Sequence, residues 1–242
     1  MIVLFTDFGL AGPYTGQVEA VLQRIAPAVP TVSLFADAPA AQPRPAAYLL
    51  AAYAAWFPAG SVFLCVIDPG VGGARRALIV EADGRLYTGP DNGLFEIVAR
   101  RAAAARSWRI AWRPPDLSAS FHGRDLFAPV AARLALGEAP SELGRPVQPL
   151  AYPDWPNDLA EIVYIDHYGN ALTGLRGALL PAEARLQAGG HTIAPAATFS
   201  AVPEGVAFWY VNSNGLAEIA VNRGPASQAL GIAIGNPVAI LA

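Results

Sequence analysis

The chain has 242 residues, of which 54% are hydrophobic and 14% are charged, and its formal net charge is −3. This length suffices for one large domain or two modest ones with a sizeable core. The acidic balance argues against a nucleic-acid binder, which normally carries a basic face, and the single Cys65 excludes an internal disulfide or a multi-cysteine metal site.

Strands and helices alternate along residues 1–144. Apolar runs predict strands in MIVLFTDFG, TVSLFAD and SVFLCVID, and a strand pair joined at Asp83–Gly84 in RALIVEADGRLYTGPDNG. Helical spacing predicts helices in GQVEAVLQRIAP, PAAYLLAAYAAWF, LFEIVARRAAAARSW and GRDLFAPVAARLALG. The alternation predicts an α/β domain with a largely parallel sheet.

The composition and the pattern of apolar residues change after residue 144. Residues 145–158, RPVQPLAYPDWPND, contain four prolines and are predicted to form a linker. Residues 159–242 contain short apolar runs bounded by Gly, Asn and Pro, such as GVAFWYVNSNG and LAEIAVN. This pattern predicts a smaller all-β, barrel-like C-terminal domain.

No targeting or membrane-spanning segment is expected. The N-terminal residues MIVLFTDFG lack a positively charged leader and reach Asp7 early. The uncharged stretch from Pro45 to Ile67 is long enough to span a membrane, but Pro58 and Gly60 divide it into a buried helix and a buried strand. We therefore predict a cytoplasmic protein with no membrane partner.

Acidic residues follow two of the predicted strands. Asp7 ends the first strand, and Asp68 opens the loop DPGVGGARR, in which Arg75 lies seven residues later. Because ligands of open parallel sheets bind beyond the carboxyl ends of the strands, both acids are candidate site residues. Each also has a purely structural interpretation, since either carboxylate could cap its own turn.

Three further motifs carry polar groups. His122 lies in FHGRD before a predicted helix, Asp166 lies in DHYGN, and Ser213 lies in NSNG, which alone reads as a hairpin turn. A lone histidine is more often structural than catalytic. No Walker-type loop or G-x-G-x-x-G motif is present, whereas a carboxylate metal site formed by Asp7, Asp68 and Asp91 stays open.

Six motifs together resemble one enzyme family. TDFG, WFPAGSVFLCVIDPGVGGARR, YTGPDNGL, SFHGRDLFAPVAA, YIDHYGNALT and NSNGLAEIAVNRGPAS occur in this order over almost the whole chain. The set resembles the S-adenosylmethionine (SAM) hydroxide adenosyltransferases, the hydrolytic relatives of the fluorinase and chlorinase enzymes. One stretch departs from the pattern, since FADAPAAQPRPAAY (residues 35–48) lacks the usual histidine.

The resemblance implies hydrolysis of SAM to adenosine and L-methionine by displacement at the ribose 5'-carbon. We expect no cofactor, and no metal, because the sequence shows no convincing set of metal ligands. It also implies a homotrimer whose active sites lie between the N-terminal domain of one subunit and the barrel of the next. Asp68, Arg75 and His122 match the family's water-binding set, a charged triad that the halogenating relatives lack. Such a cluster can align water and stabilise developing hydroxide.

The resemblance assigns substrate contacts as well. Asp7 resembles the acid that holds the ribose hydroxyls, and Asp166 resembles the acid that faces the methionine ammonium. The remaining matches are Tyr168 and Asn170 on the adenine side, Ser213 on the methionine side, and the backbone near Val221 and Arg223 beside adenine. Two other functions stay open: a protein that binds SAM or adenosine without turnover, and a metal-dependent phosphohydrolase.

Overall fold

The computed structural model describes residues 1–241, and the chain divides into two compact units. The first unit comprises Met1–Leu50 and Ala54–Tyr152. The second comprises Ala51–Tyr53 and the chain from Pro153 onward. No helix within residues 1–241 is long and apolar enough to cross a membrane.

The first unit is built on a seven-stranded sheet. Its strands are β1 (Ile2–Thr6), β2 (Thr31–Phe35), β3 (Val62–Val66), β4 (Ala77–Ala82), β5 (Arg85–Pro90), β6 (Ala105–Ile110) and β7 (Gly144–Pro146). They lie in the order β2-β1-β3-β5-β4-β6-β7. The strand β7, at the start of the proline-rich segment, pairs with β6.

The sheet is mixed, so the prediction of a largely parallel sheet is only partly right. The pairs β1/β2, β1/β3 and β3/β5 are parallel, whereas β4/β5, β4/β6 and β6/β7 are antiparallel. The reversal arises at Asp83 and Gly84, whose φ angles of 48° and 72° form a tight turn between β4 and β5. The sheet is therefore parallel around β1 and β3, where Asp7 and Asp68 follow the strands.

The helices of the chain are α1 (Tyr14–Ile25), α2 (Pro43–Ala54), α3 (Glu96–Arg101), α4 (Ala128–Ala135), α5 (Pro140–Leu143) and α6 (Ala226–Ala229). The helix predicted in LFEIVARRAAAARSW is wrong in its second half, because residues 105–110 form β6. There Trp108 and Ile110 are buried while Arg109 between them is exposed, the alternation of a strand with one buried face.

The core of the first unit holds the strands that lead to the candidate site. The apolar faces of α1 and α4 share one core cluster with β1 and β3, in which Val18, Leu22, Leu4 and Leu64 are almost fully buried. A π-helical turn, Gly123–Phe127, precedes α4 and follows His122 directly. The core thus fixes the ends of β1 and β3 against the segment that carries His122.

The second unit is all-β apart from short helical turns. Its strands are β8 (Leu159–Ile165), β9 (Ala171–Arg176), β10 (Arg185–Ala188), β11 (His191–Pro195), β12 (Ala207–Val211), β13 (Leu216–Val221) and β14 (Ala239–Leu241). They form one sheet in the order β14-β10-β11-β12-β13-β9-β8. All its ladders are antiparallel except β11/β12.

The two edges of this sheet meet through residues 235–238, which directly precede β14. The amide of Ile162 in β8 donates to the carbonyl of Asn236 at 2.9 Å, and the amide of Val238 donates to Ala160 at 2.8 Å. Since β14 pairs with β10 on the opposite edge, the sheet curls into a barrel-like shape. This observation agrees with the predicted barrel-like character of the C-terminal region.

A matched pair of glycine substitutions tests the packing of β5 against β3. A Cβ atom on Gly89 would lie 2.2 Å from the carbonyl oxygen of Cys65, whereas one on Gly16, in α1, would meet nothing within 4 Å. We expect Gly89→Ala to destabilise the protein by about 1–3 kcal/mol through overpacking, and Gly16→Ala to stabilise it by about 0.5–1 kcal/mol. Denaturant unfolding measures both changes, and equal stability of the two variants would contradict the packing of β5 on β3.

Candidate active site

The loop after β3 folds back on itself through an ion pair. The Nε atom of Arg75 donates to both carboxylate oxygens of Asp68, at 2.9 and 3.0 Å, and Nη2 donates to Oδ2. The side chains of Arg75 and Asp68 are only 11% and 4% exposed. The guanidinium also lies over the ring of Phe127, 5.2 Å from its centre. Arg75 is therefore fixed in position and orientation.

Glycine is required where this loop approaches the segment before His122. Gly72 has a φ of 76°, in the left-handed region, and a Cβ there would lie 2.4 Å from the carbonyl oxygen of Ala119. Gly72 thus allows the loop DPGVGGARR to turn and to pack against the segment that leads to His122. Local loop geometry and the position of His122 are coupled by this contact.

The same guanidinium contacts His122. Nη2 of Arg75 lies 2.8 Å from Nδ1 of His122. Arginine has only donors, so Nδ1 accepts this hydrogen bond, and the neutral ring then carries its proton on Nε2. Burial lowers the pKa of His122, and the positive charge of Arg75 lowers it further. The histidine is thus held neutral, with Nε2–H available as a donor.

Asp7 joins these residues at the same edge of the sheet. Its amide donates to the carbonyl of Val66 at the end of β3, at 3.3 Å, and its Oδ2 accepts from the amide of Ala41 at 2.8 Å. Burial raises the pKa of the Asp7 carboxyl, and the charge of Asp68 adds to the rise. Asp7, Asp68 and His122 line one cavity of about 160 Å³. A pre-organised polar site therefore lies at the ends of β1 and β3.

The open alternative of a metal site formed by Asp7, Asp68 and Asp91 does not match the structure. Asp91 is bound instead by the guanidinium of Arg76 and by the amide of Leu150 at 3.1 Å. Within residues 1–241, no three His, Cys, Asp or Glu side chains are grouped so that they could hold a metal ion. Asp91 has a structural role that anchors the chain after β7.

The remaining predicted site residues all line a single cavity in the second unit. This cavity has a volume of about 860 Å³, within the range of pockets for small organic ligands. The six residues are Asp166, Tyr168, Asn170, Ser213, Val221 and Arg223. The sequence-based candidates therefore form two groups, one in each unit.

Asp166 organises its own turn. Its Oδ1 accepts from the amides of Tyr168 and Asn170 at 2.9 and 2.8 Å, and its Oδ2 accepts from Nδ2 of Asn170 at 2.9 Å. These contacts fix Asn170, which is buried, and leave Tyr168 76% exposed at the cavity. The turn-capping role and the ligand-binding role predicted for Asp166 are compatible, because the carboxylate still lines the cavity.

Sequence reasoning missed several residues that line this cavity, including Phe199, Tyr210, Asn212 and Glu218. The rings of Phe199 and Tyr210 lie 5.6 Å apart and supply aromatic surface. Glu218 offered a usable signal, because a carboxylate inside the apolar run LAEIAVN is unusual. Phe199 offered none, since it begins a short helical turn between β11 and β12 that no sequence pattern marks.

Comparison with known proteins places the chain in a family. The sequence model of the SAM hydroxide adenosyltransferase N-terminal domain matches residues 2–144, and that of the C-terminal domain matches residues 160–239. The chain therefore belongs to the SAM hydroxide adenosyltransferase family. This family is the one that the six ordered motifs indicated.

Individual relatives span the full chain. An (R)-S-adenosyl-L-methionine hydrolase of Thermus thermophilus is 43% identical, with 99% of each chain covered, and one of Salinispora arenicola is 37% identical, with 98% of this chain and 96% of the relative covered. A crystal structure of an uncharacterized conserved protein from Thermotoga maritima superposes with a TM-score of 0.91, at 31% identity and 100% coverage of both chains. The crystal structure of a conserved hypothetical protein from Thermus thermophilus superposes with a TM-score of 0.80, at 38% identity and with 99% of each chain covered.

The protonation of His122 can be tested directly. Because burial and Arg75 lower its pKa, we expect it to titrate below about 6.5, the ordinary value for histidine. Nitrogen-15 NMR at neutral pH should show Nε2 protonated and Nδ1 bare, with His122→Asn identifying the signals. An unfolded chain binds this proton more readily, so the histidine's contribution to stability is lost as the pH falls below 6.5. A proton on Nδ1 at neutral pH would contradict the contact with Arg75.

Proposed function

We propose that this protein hydrolyses S-adenosyl-L-methionine to adenosine and L-methionine by attack of water on the ribose 5'-carbon. The observation that carries the proposal is the hydrogen-bonded row of Asp68, Arg75 and His122, two of which line a cavity at the ends of β1 and β3. Membership in the SAM hydroxide adenosyltransferase family supports the same chemistry.

The leaving group defines what the protein has to supply. As the water oxygen bonds to the 5'-carbon, the carbon–sulfur bond breaks and its electron pair stays on sulfur, which departs as the neutral thioether of methionine. No general acid is needed. The protein has only to align a weak nucleophile opposite the sulfur and to accept one proton. Oriented hydrogen-bonding groups can do both.

The three residues then have distinct roles. Nδ1 of His122 is occupied by Arg75, so His122 acts through Nε2–H, which donates to the water oxygen and orients its lone pair. The carboxylate of Asp68 accepts the proton that the water loses. A carboxylate suffices as the base, because the attacking water becomes strongly acidic while its bond to carbon forms. Arg75 holds both partners at fixed positions.

The other candidates bind the substrate in this proposal. Asp7 accepts hydrogen bonds from the ribose hydroxyls, and Asp166 faces the methionine ammonium. Tyr168 and Asn170 contact adenine. Ser213 contacts the methionine part, and the backbone at Val221 and Arg223 contacts adenine. The cavity of about 860 Å³ in the second unit, with its aromatic lining, supports this assignment.

The activity is tested by incubating the purified protein with SAM in water enriched in oxygen-18. We expect adenosine labelled at the 5'-oxygen and unlabelled methionine, with no loss of rate in EDTA. The names of the relatives specify the (R) configuration, so each sulfonium epimer is assayed separately. Binding without products would indicate a non-catalytic binding protein, and a rate lost in EDTA and restored by a divalent ion would indicate a metal-dependent enzyme.

Substitutions at His122 and Arg75 test the assignment of these residues to water. We expect His122→Ala to lower turnover at least about a hundredfold, the loss that misplacement of a reacting group by about 1 Å can cause, with a much smaller change in SAM affinity. Arg75→Lys should also turn over poorly, because an ammonium cannot reproduce the fork that contacts Asp68 and His122 together. Turnover and direct ligand binding are measured for each variant.

Two amides at position 122 distinguish a donor from a base. In His122→Gln the amide nitrogen can reach the position of Nε2, whereas in His122→Asn it reaches only that of Nδ1. If His122 acts as a donor, Gln retains clearly more turnover than Asn. Equal losses in the two variants would favour proton abstraction by the imidazole, and weak SAM binding with normal turnover at saturation would make His122 a substrate ligand.

We further propose a homotrimer in which neighbouring subunits share each active site. The candidate residues divide between the two compact units, which is consistent with a site that two chains complete. Mixing Asp68→Ala with Asp166→Ala should restore activity, because some sites of a mixed oligomer would contain both wild-type residues. No recovery after verified subunit exchange would place each site within one chain.

A further inference from the structure

Glu218 is a carboxylate inside an otherwise apolar, buried strand. It lies in β13 between Ala217 and Ile219, both fully buried, and is itself only 5% exposed. It also lines the cavity of about 860 Å³ in the second unit. Burial of a charged side chain is costly unless something compensates for the lost hydration, so its position at a ligand-sized cavity calls for a partner.

Uncharged donors hold both oxygens of this carboxylate. The hydroxyl of Tyr210 donates to Oε1 at 2.7 Å, and Nδ2 of Asn212 donates to Oε2 at 2.8 Å. Burial raises the pKa of Glu218, and the charge of Asp166 contributes to the rise. Asp166 is likewise held by neutral N–H groups. Two carboxylates that repel each other therefore line the same cavity.

No positive side chain neutralises this pair from within the described chain. Arg223 lines the cavity, but its guanidinium donates to Glu204 at 3.2 Å, and the two side chains are 76% and 69% exposed. In the part of the chain that the structure describes, neither Asp166 nor Glu218 forms an ion pair. The cavity therefore favours a ligand that brings its own positive charge.

We propose that Glu218, together with Asp166, is a specificity-determining residue that selects a positively charged ligand. The inference rests on the proposed function. SAM carries two positive groups, a sulfonium and an ammonium, and only one negative group, its own carboxylate. Adenosine carries no charge, and methionine leaves with a neutral thioether. The pair of carboxylates would thus favour the substrate over both products and promote their release after hydrolysis.

A structural role for Glu218 makes a different prediction. Its partner Asn212 accepts hydrogen bonds from the amides of Asn214 and Leu216, at 2.9 and 3.1 Å, and so shapes the turn that carries Ser213. If Glu218 only braced this turn, its loss would weaken every ligand alike. Glu218→Gln keeps the shape and one acceptor oxygen while removing the charge, and therefore separates the two roles.

The experiment compares a charged and an uncharged ligand by calorimetry. All variants carry Asp68→Asn, so that SAM is not consumed during the titration. We expect Glu218→Gln to weaken SAM binding by about ten- to a hundredfold, the range for a charge-assisted hydrogen bond, and adenosine binding by less than about twofold. Glu183→Gln, which removes an exposed carboxylate of the same unit outside this cavity, should change neither affinity.

Equal weakening of SAM and adenosine, or no change in either, would overturn the role of Glu218 in charge selection. Thermal unfolding checks that Glu218→Gln is folded. If it is not, Glu218→Asp, which retains the charge, must preserve the preference for SAM over adenosine, and loss of that preference would equally overturn the inference. Failure of the proposed function is seen separately, as absence of adenosine release by the wild-type protein.

Discussion

The candidate site depends on one guanidinium that makes two contacts. Arg75 donates to both oxygens of Asp68 and to Nδ1 of His122, and it is packed over Phe127. A buried ion pair contributes little net stability, because desolvation offsets the attraction of the charges. Its value here lies in orientation: the pair fixes the carboxylate, fixes the histidine, and determines which imidazole nitrogen carries the proton.

Several elements of the fold bring the partners of this guanidinium together. The parallel strands β1 and β3 bring Asp7 and Asp68 to the same edge of the sheet. The turn at Gly72 lets the loop approach the chain before His122, and the π-helical turn after His122 connects that segment to the core helix α4. Rigid elements thus position the polar groups, which is the arrangement that catalysis by orientation requires.

Buried acids line the cavity of the second unit as well. Its cavity combines aromatic surface from Phe199 and Tyr210 with the carboxylates of Asp166 and Glu218. In both units burial raises the pKa of an acid at a cavity, Asp7 in the first and Glu218 in the second. Ionised acids in such places are unfavourable for the empty protein and become favourable when a cation binds. A sulfonium nucleoside has the charge that such cavities favour.

The amino-acid sequence alone indicated the family and the order of an α/β region followed by a β region, because six ordered motifs carry both. It also indicated candidate residues in both groups, such as Asp68 and Arg75 seven residues apart, but it missed Glu218 and its neighbours in the second cavity. Only the three-dimensional structure showed the antiparallel pairing of β6 with β4 and β7 and the contact of Arg75 with His122, 47 residues away. The structure also showed that Glu218 lines a cavity. These features depend on strand register and on packing between distant segments, which no local pattern specifies.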